Sequence, residues 1–233
     1  MENFTASYFK AFRELLTKRE VRGRRSITLV TVCAVPMLLT ACGNSNGESK
    51  VAALGERQTK AVVPDALAMP GWKVIDQPEA YPITNFSRVG LVLCTDKETK
   101  ACKGSRFVGT SIFSREKTVQ AAFWALAYRD EEAASAAYDA QWGHYKDGLG
   151  KPAKLDLDGL GARSDAQVGI GSRSDEVAIA QVQVGTVILW ANVSDRDENG
   201  LSKSFVKDIA AVFTERVQQA QNGDTPSAGL RSE

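Results

Sequence analysis

The fold follows from Thr118-Val119-Gln120-Ala121-Ala122-Phe123-Trp124-Ala125-Leu126-Ala127-Tyr128. Its apolar side chains occupy both alternating sets, Val119, Ala121 and Phe123 against Ala122, Trp124 and Leu126. A strand with one wet face would alternate apolar with polar, so this pattern describes a central strand covered on both sides. Its alanines would also tolerate a helix. The period changes directly after it. Asp130 is placed to cap a helix whose first turn holds Glu131 and Glu132, where carboxylates suit the dipole. Ala134, Ala137, Tyr138, Trp142 and Tyr145 then share one helical side, and Gly148 and Gly150 end the run.

Residues 89–95 and 107–114 are β-prone apolar runs ahead of the central strand. Beyond the helix, residues 166–169, 176–184 and 186–193 read as an antiparallel meander, with a tight turn at Val184-Gly185-Thr186 and a looser one near Ser172-Arg173-Ser174. Ser202 or Asn199 can cap a last helix to about Ala220, with Leu201, Phe205, Ile209, Val212, Phe213 and Arg216 or Val217 as its stripe. The order β-β-β-α-β-β-β-α predicts an α+β fold: one antiparallel sheet of about five or six strands with two main helices packed on it. Val62-Val63-Pro64 and Met69-Pro70-Gly71-Trp72 punctuate the entry, which places a single domain at residues 61–221 and a disordered tail at 222–233.

Composition agrees with one domain plus appendages: 233 residues, 43% hydrophobic and 24% charged. Residues 1–41 hold seven Lys/Arg and three Asp/Glu, leaving 22 basic against 25 acidic groups in the remainder. That balance argues against a nucleic-acid partner, which calls for a concentrated basic face. A single His weakens metal-site and catalytic-triad readings, because imidazole is the usual base and ligand near neutral pH.

Residues 1–41 form a leader. Lys18-Arg19-Glu20-Val21-Arg22-Gly23-Arg24-Arg25 is basic, and the apolar run at residues 27–39 is thirteen residues long. That is too short for a membrane span of about 20 residues, but fits a signal-peptide apolar region after a positive flank. Two starts compete. Phe4, Tyr8, Phe12 and Leu15 or Leu16 could form an amphipathic extension, or translation could begin at Val21, the reading we prefer because signal peptides start close to their charges. Basic residues before the run predict export of everything after residue 42.

Leu39-Thr40-Ala41-Cys42 ends the run and resembles the lipobox of bacterial lipoproteins, Leu and two small residues before Cys. The resemblance implies that the Cys42 thiol is lipidated and that Cys42 becomes the mature N-terminus after cleavage. Two or three acyl chains would then hold the protein stably on the membrane. Gly43-Asn44-Ser45-Asn46-Gly47-Glu48-Ser49-Lys50 lacks apolar residues, so residues 42–60 are expected to be a flexible tether, with a helical turn or a loose chain over 52–60.

Candidate sites are few. Cys94 and Cys102 enclose seven polar or small residues, and export supplies an oxidising setting. A disulfide worth about 2 to 3 kcal/mol is the economical expectation, against a redox-active or metal-binding pair, for which Cys-x-x-Cys spacing and a nearby His are missing. Asp195, Asp197 and Asn199, followed by Gly200, match the first half of a calcium loop. Lys203 and Val206 stand where further ligands belong, so a polar turn is the better reading and no metal is expected. His144 lies at a predicted helix end, where an imidazolium suits the dipole, and no nucleophile motif accompanies it. Trp72, Trp124, Trp142 and Trp190, with Tyr128, Tyr138 and Tyr145, are the remaining ligand-surface candidates; most should be packing, with Trp142 and Tyr145 nearest a cleft at the helix end.

From Met69-Pro70-Gly71-Trp72, through the Val184-Gly185-Thr186 hairpin, to Val217-Gln218-Gln219-Ala220-Gln221, the chain also resembles exported lipoproteins of actinobacteria and, more loosely, the extracellular sensor-like domains of some of their kinases. That resemblance implies a two-layer α/β domain of unknown ligand. The expectation is a lipid-anchored protein on the extracytoplasmic face of the cell membrane, without catalytic activity or cofactor, binding a small molecule or an envelope protein. An interaction component of envelope assembly is the alternative, and an envelope hydrolase a more distant one.

Overall fold

The computed structural model describes residues 51–84, 102–116, 118–196 and 200–231, with only the backbone of His144 and Tyr145. The leader, Cys42, the expected strand at 89–95, Cys94, Asp197 and Asn199 lie outside the described residues. In chain order the elements are α1 (Glu56–Val62), β1 (Lys73–Pro82), β2 (Ser105–Arg115), β3 (Val119–Tyr128), α2 (Glu131–Tyr145), β4 (Gly150–Lys154), β5 (Arg163–Ile170), β6 (Glu176–Val184), β7 (Val187–Asp195) and α3 (Lys203–Gln221).

All strand pairs are antiparallel, in one sheet ordered β1-β2-β3-β7-β6-β5-β4. The α+β class is as expected, but the sheet has seven described strands rather than five or six. The additional ones are its two edges. β1 carries Asp76, Gln77, Pro78 and Glu79 and breaks register with β2 at two places, and β4 is fully exposed around Pro152. A proline costs no ladder bond at an edge, and polar outward side chains there discourage pairing with another chain. The same features erase the apolar alternation that would reveal a strand in the sequence.

β3 sits near the middle of the sheet, and its two side-chain sets enter different cores. Ala121, Phe123, Ala125 and Ala127 pack with Val206, Ile209 and Phe213 of α3 and Val62 of α1. Leu126 and Tyr128 pack with Ala133, Ala134, Ala137 and Tyr138 of α2. Helices therefore cover both faces, giving three layers where the resemblance implied two.

Local signals explain the helix starts. Asp130 Oδ1 accepts from the Ala133 N–H at 2.8 Å, and Ser202 Oγ accepts from the Phe205 N–H at 3.4 Å. α1 falls partly within the expected tether and owes its place to tertiary contact. Leu54 is wholly buried, and a side chain at Gly109 of β2 would put its Cβ 2.6 Å from the Thr59 carbonyl oxygen. The helix can lie on the strand only because Gly109 has none.

The segment after α3, expected to be a disordered tail, lies against the body of the protein. The Leu230 N–H donates to Ala68 O at 2.9 Å, and Gln219 Oε1 accepts from the backbone of Ser227 and Ala228. Arg216, 2% exposed, joins this tail to α1: Nη1 donates to Ala228 O, and Nε and Nη2 to the carbonyls of Val62 and Ala61.

Candidate functional site

Antiparallel pairing of β3 with β7 sets Trp124 directly opposite Trp190 on the face covered by α2. Trp190 is buried, and Trp142 from the last turns of α2 stacks on it with centroids 6.2 Å apart and planes at 28°. Trp124 and Trp142 are half-buried. Gln141, fully buried, links this cluster to the tyrosines: its Oε1 accepts from Trp190 Nε1 at 2.8 Å, and its Nε2 donates to the Tyr128 hydroxyl. Sequence reasoning missed Gln141 because a polar residue on a helical stripe reads as solvent-facing. The available signal was its spacing, three and four residues beyond Tyr138 and Ala137.

Tyr138 anchors the middle of α2. Its hydroxyl shares its proton between Asp165 Oδ2 at 3.0 Å and Gln181 O at 3.2 Å, and Gln181 Nε2 returns a bond to Tyr138 O. The Arg163 guanidinium covers the Tyr138 ring at 4.1 Å and forks onto the Asp139 carboxylate. Burial pushes the Tyr128 phenol well above its ordinary range, and burial followed by the Asp165 charge does the same to Tyr138. Both stay neutral near pH 7, as hydrogen-bonding groups and not as bases.

The sheet beneath α2 is partly polar. Gln183 Nε2 donates to Ser135 Oγ at 2.7 Å and Gln167 Nε2 to Lys146 O at 2.6 Å, while Oε1 of Gln181 and of Gln183 are buried without partners among the described residues. Two acceptors are thus left open in the layer between helix and sheet.

The structure brings together Trp124, Trp142, Trp190, Tyr128 and Tyr138, and sends Trp72 to the opposite face. There Trp72 stacks on Phe205 at 5.4 Å with planes 6° apart. Cys102 is buried among Val108, Leu126 and Tyr128. His144 and Tyr145 fall in the last turn of α2, with side chains outside the description. Asp195 ends β7 opposite Glu176, whose carboxylate accepts from the Leu201 N–H. Among the described residues no group of three or more His, Cys, Asp or Glu is placed to hold a metal ion, and no helix is long and apolar enough to cross a membrane.

No protein-family model matches the chain, and no curated protein matches it. Among solved structures it is similar to the extracellular domain of PknH from Mycobacterium tuberculosis, with TM-score 0.48 and 12% identity over 72% of this chain and 99% of that one.

Proposed function

We propose that this protein is an extracytoplasmic lipoprotein, anchored through Cys42, whose folded part is a non-catalytic binding or sensing module. Anchoring is supported by Leu39-Thr40-Ala41-Cys42 after a basic flank and a thirteen-residue apolar run, and by the polar linker that follows. A Cys94–Cys102 disulfide fits the same compartment, with Cys102 held inside the α2-side core. The observation that carries the binding reading is the tryptophan cluster: half-buried Trp124 and Trp142 beside buried Trp190, tied to α2 by Gln141. Aromatic faces with a few fixed polar groups are what a ligand site requires.

Two experiments test the two halves separately. Cys42→Ala is expected to leave an uncleaved precursor that takes up no radiolabelled palmitate. If this variant still fractionates as mature, acylated protein, the anchoring claim is wrong. For binding, native mass spectrometry of the full chain extracted in mild detergent should show a co-purifying small molecule that is lost from Trp142→Ala. A bare wild-type spectrum alongside a co-purifying envelope protein would replace the small-ligand reading with an interaction role.

A further inference from the structure

The α3-side face holds a second aromatic group, built around a cation. The Arg115 guanidinium carbon lies 5.2 Å from the Trp72 ring centroid and 5.3 Å from that of Phe205, so the charge rests against a stacked pair. Such contacts stabilise the cation through the ring faces, but they leave its five in-plane N–H donors unanswered. Among the described residues, no carboxylate pairs with Arg115 and no acceptor receives its hydrogen bonds; its Nε is buried and unpartnered.

Arg216 is the instructive contrast, since all three of its nitrogens donate to protein oxygens. Arg163 is answered by Asp139. Arg115 therefore stands out as a preorganised, partly desolvated cation with no anion of its own.

Lysines stand on two of the elements next to it, and the residue that follows it, Glu116, is exposed. Arg115 ends β2, one residue past Ser114, which pairs with Lys73 of β1. Phe205 belongs to the first turn of α3, which contains no acidic residue and begins at Lys203. Glu116 makes no ion pair with Arg115 among the described residues, and Glu176 already accepts from the Leu201 N–H.

We infer that Arg115, on its Trp72–Phe205 platform, binds an oxyanion, the phosphate or carboxylate group of a ligand. A planar fork fixed by stacking offers paired N–H groups to such an anion with little further ordering. Arg115 lies at the opposite end of the sheet from Gly185, against which Val51 packs. β3 separates the two ends by about 30 Å. The anion site does not rest on the anchoring proposal.

The test is an NMR titration of the full chain in detergent, observing arginine Nε–H and tryptophan indole N–H signals. Inorganic phosphate and sodium acetate are added in parallel, with ionic strength held constant by sodium chloride. The expected result is a saturable shift of the Arg115 Nε–H and the Trp72 indole, with half-saturation at about 1 mM or below and at least about tenfold weaker binding in Arg115→Gln. The anion that saturates first identifies the group recognised. Arg115→Lys assigns the signal and keeps the charge; it should bind more weakly, lacking the fork. If the wild-type Arg115 signal moves linearly, in step with exposed Arg57, the site does not exist and Arg115 is only packing.

Discussion

Replacing Arg216 by alanine is expected to cost about 3 to 5 kcal/mol of folding stability, the range for removing one member of a buried, hydrogen-bonded charge arrangement. In a domain of this size that lowers the melting temperature by roughly 10 °C. The cause lies in what the guanidinium satisfies. α1 has only seven residues, and its last carbonyls have no partner within the helix. Arg216 supplies the donors from α3: Nε to Val62 O at 3.2 Å, and Nη2 to Ala61 O at 2.9 Å and Val63 O at 3.5 Å. Nη1 holds Ala228 O at 3.0 Å, and Asp65 approaches at 3.4 Å. Burial depresses the guanidinium pKa and Asp65 partly restores it.

Without the side chain, four buried or half-buried carbonyls lose their donor together, and α1 and the tail lose the group that joins them. Urea unfolding measures the loss. Limited proteolysis should find new cuts near residues 61–65 and 224–230 in Arg216→Ala before the sheet yields. Arg216→Lys should recover only part of the stability, since one ammonium cannot span that set of acceptors. A loss within about 1 kcal/mol would place the junction among ordinary surface features.

Arg216 also shows where a sequence stops being legible. The 3.6-residue period places position 216 or 217 on the buried stripe of the last helix, but nothing local announces that three of its four carbonyl partners lie over 150 residues earlier. The doubly apolar pattern of β3, the cap at Asp130 and the cap at Ser202 were readable because each rests on residues within a few positions. β1 and β4 were silent because edge strands need no apolar face. For α1 the sequence supports only a choice between a helical turn and a loose chain over 52–60, because seven residues form no stable helix alone; its stability comes from the Gly109 gap and from Arg216.

The candidate site divides along the same line. The tryptophans and tyrosines are visible in the sequence as a set, and Trp142 falls in the last turns of α2, where a cleft with Tyr145 is expected. What composition could not say is which face each element presents. β7 pairing with β3 puts Trp124 beside Trp190, whereas Trp72 enters the other core. Gln141 and Arg115 went unnoticed for a common reason: a polar side chain acquires meaning from what surrounds it, and both sets of surroundings are assembled from elements far apart in the chain.

Phe123→Ala should be the most damaging single change in the sheet, at about 3 to 5 kcal/mol. The ring is 1% exposed and stands between Phe113, at 6.1 Å and 72°, and Phe213 of α3, at 5.5 Å and 88°. Each edge-to-face contact is worth about 0.5 to 1.5 kcal/mol beyond burial. Collapse into the vacated space is blocked. Phe123 is flanked along β3 by Ala121 and Ala125 on the same face and paired with Ser111 of β2 and Ala191 of β7, so the strand positions around it are too short to fill the space, and only the rings of Phe113 and Phe213 border it with bulk. β3 itself is bonded on both sides and cannot shift. Phe123→Leu should restore part of the loss by refilling volume without the edge-to-face geometry. Leu126→Ala, on the opposite face, should cost less, because only α2 covers it and part of that layer is held by hydrogen bonds from Gln141, Gln181 and Gln183. Urea unfolding of the three variants measures the order Phe123→Ala, then Leu126→Ala, then Phe123→Leu. If Leu126→Ala proves the most costly, the α2 side is the principal core and the α3 side is the one free to loosen.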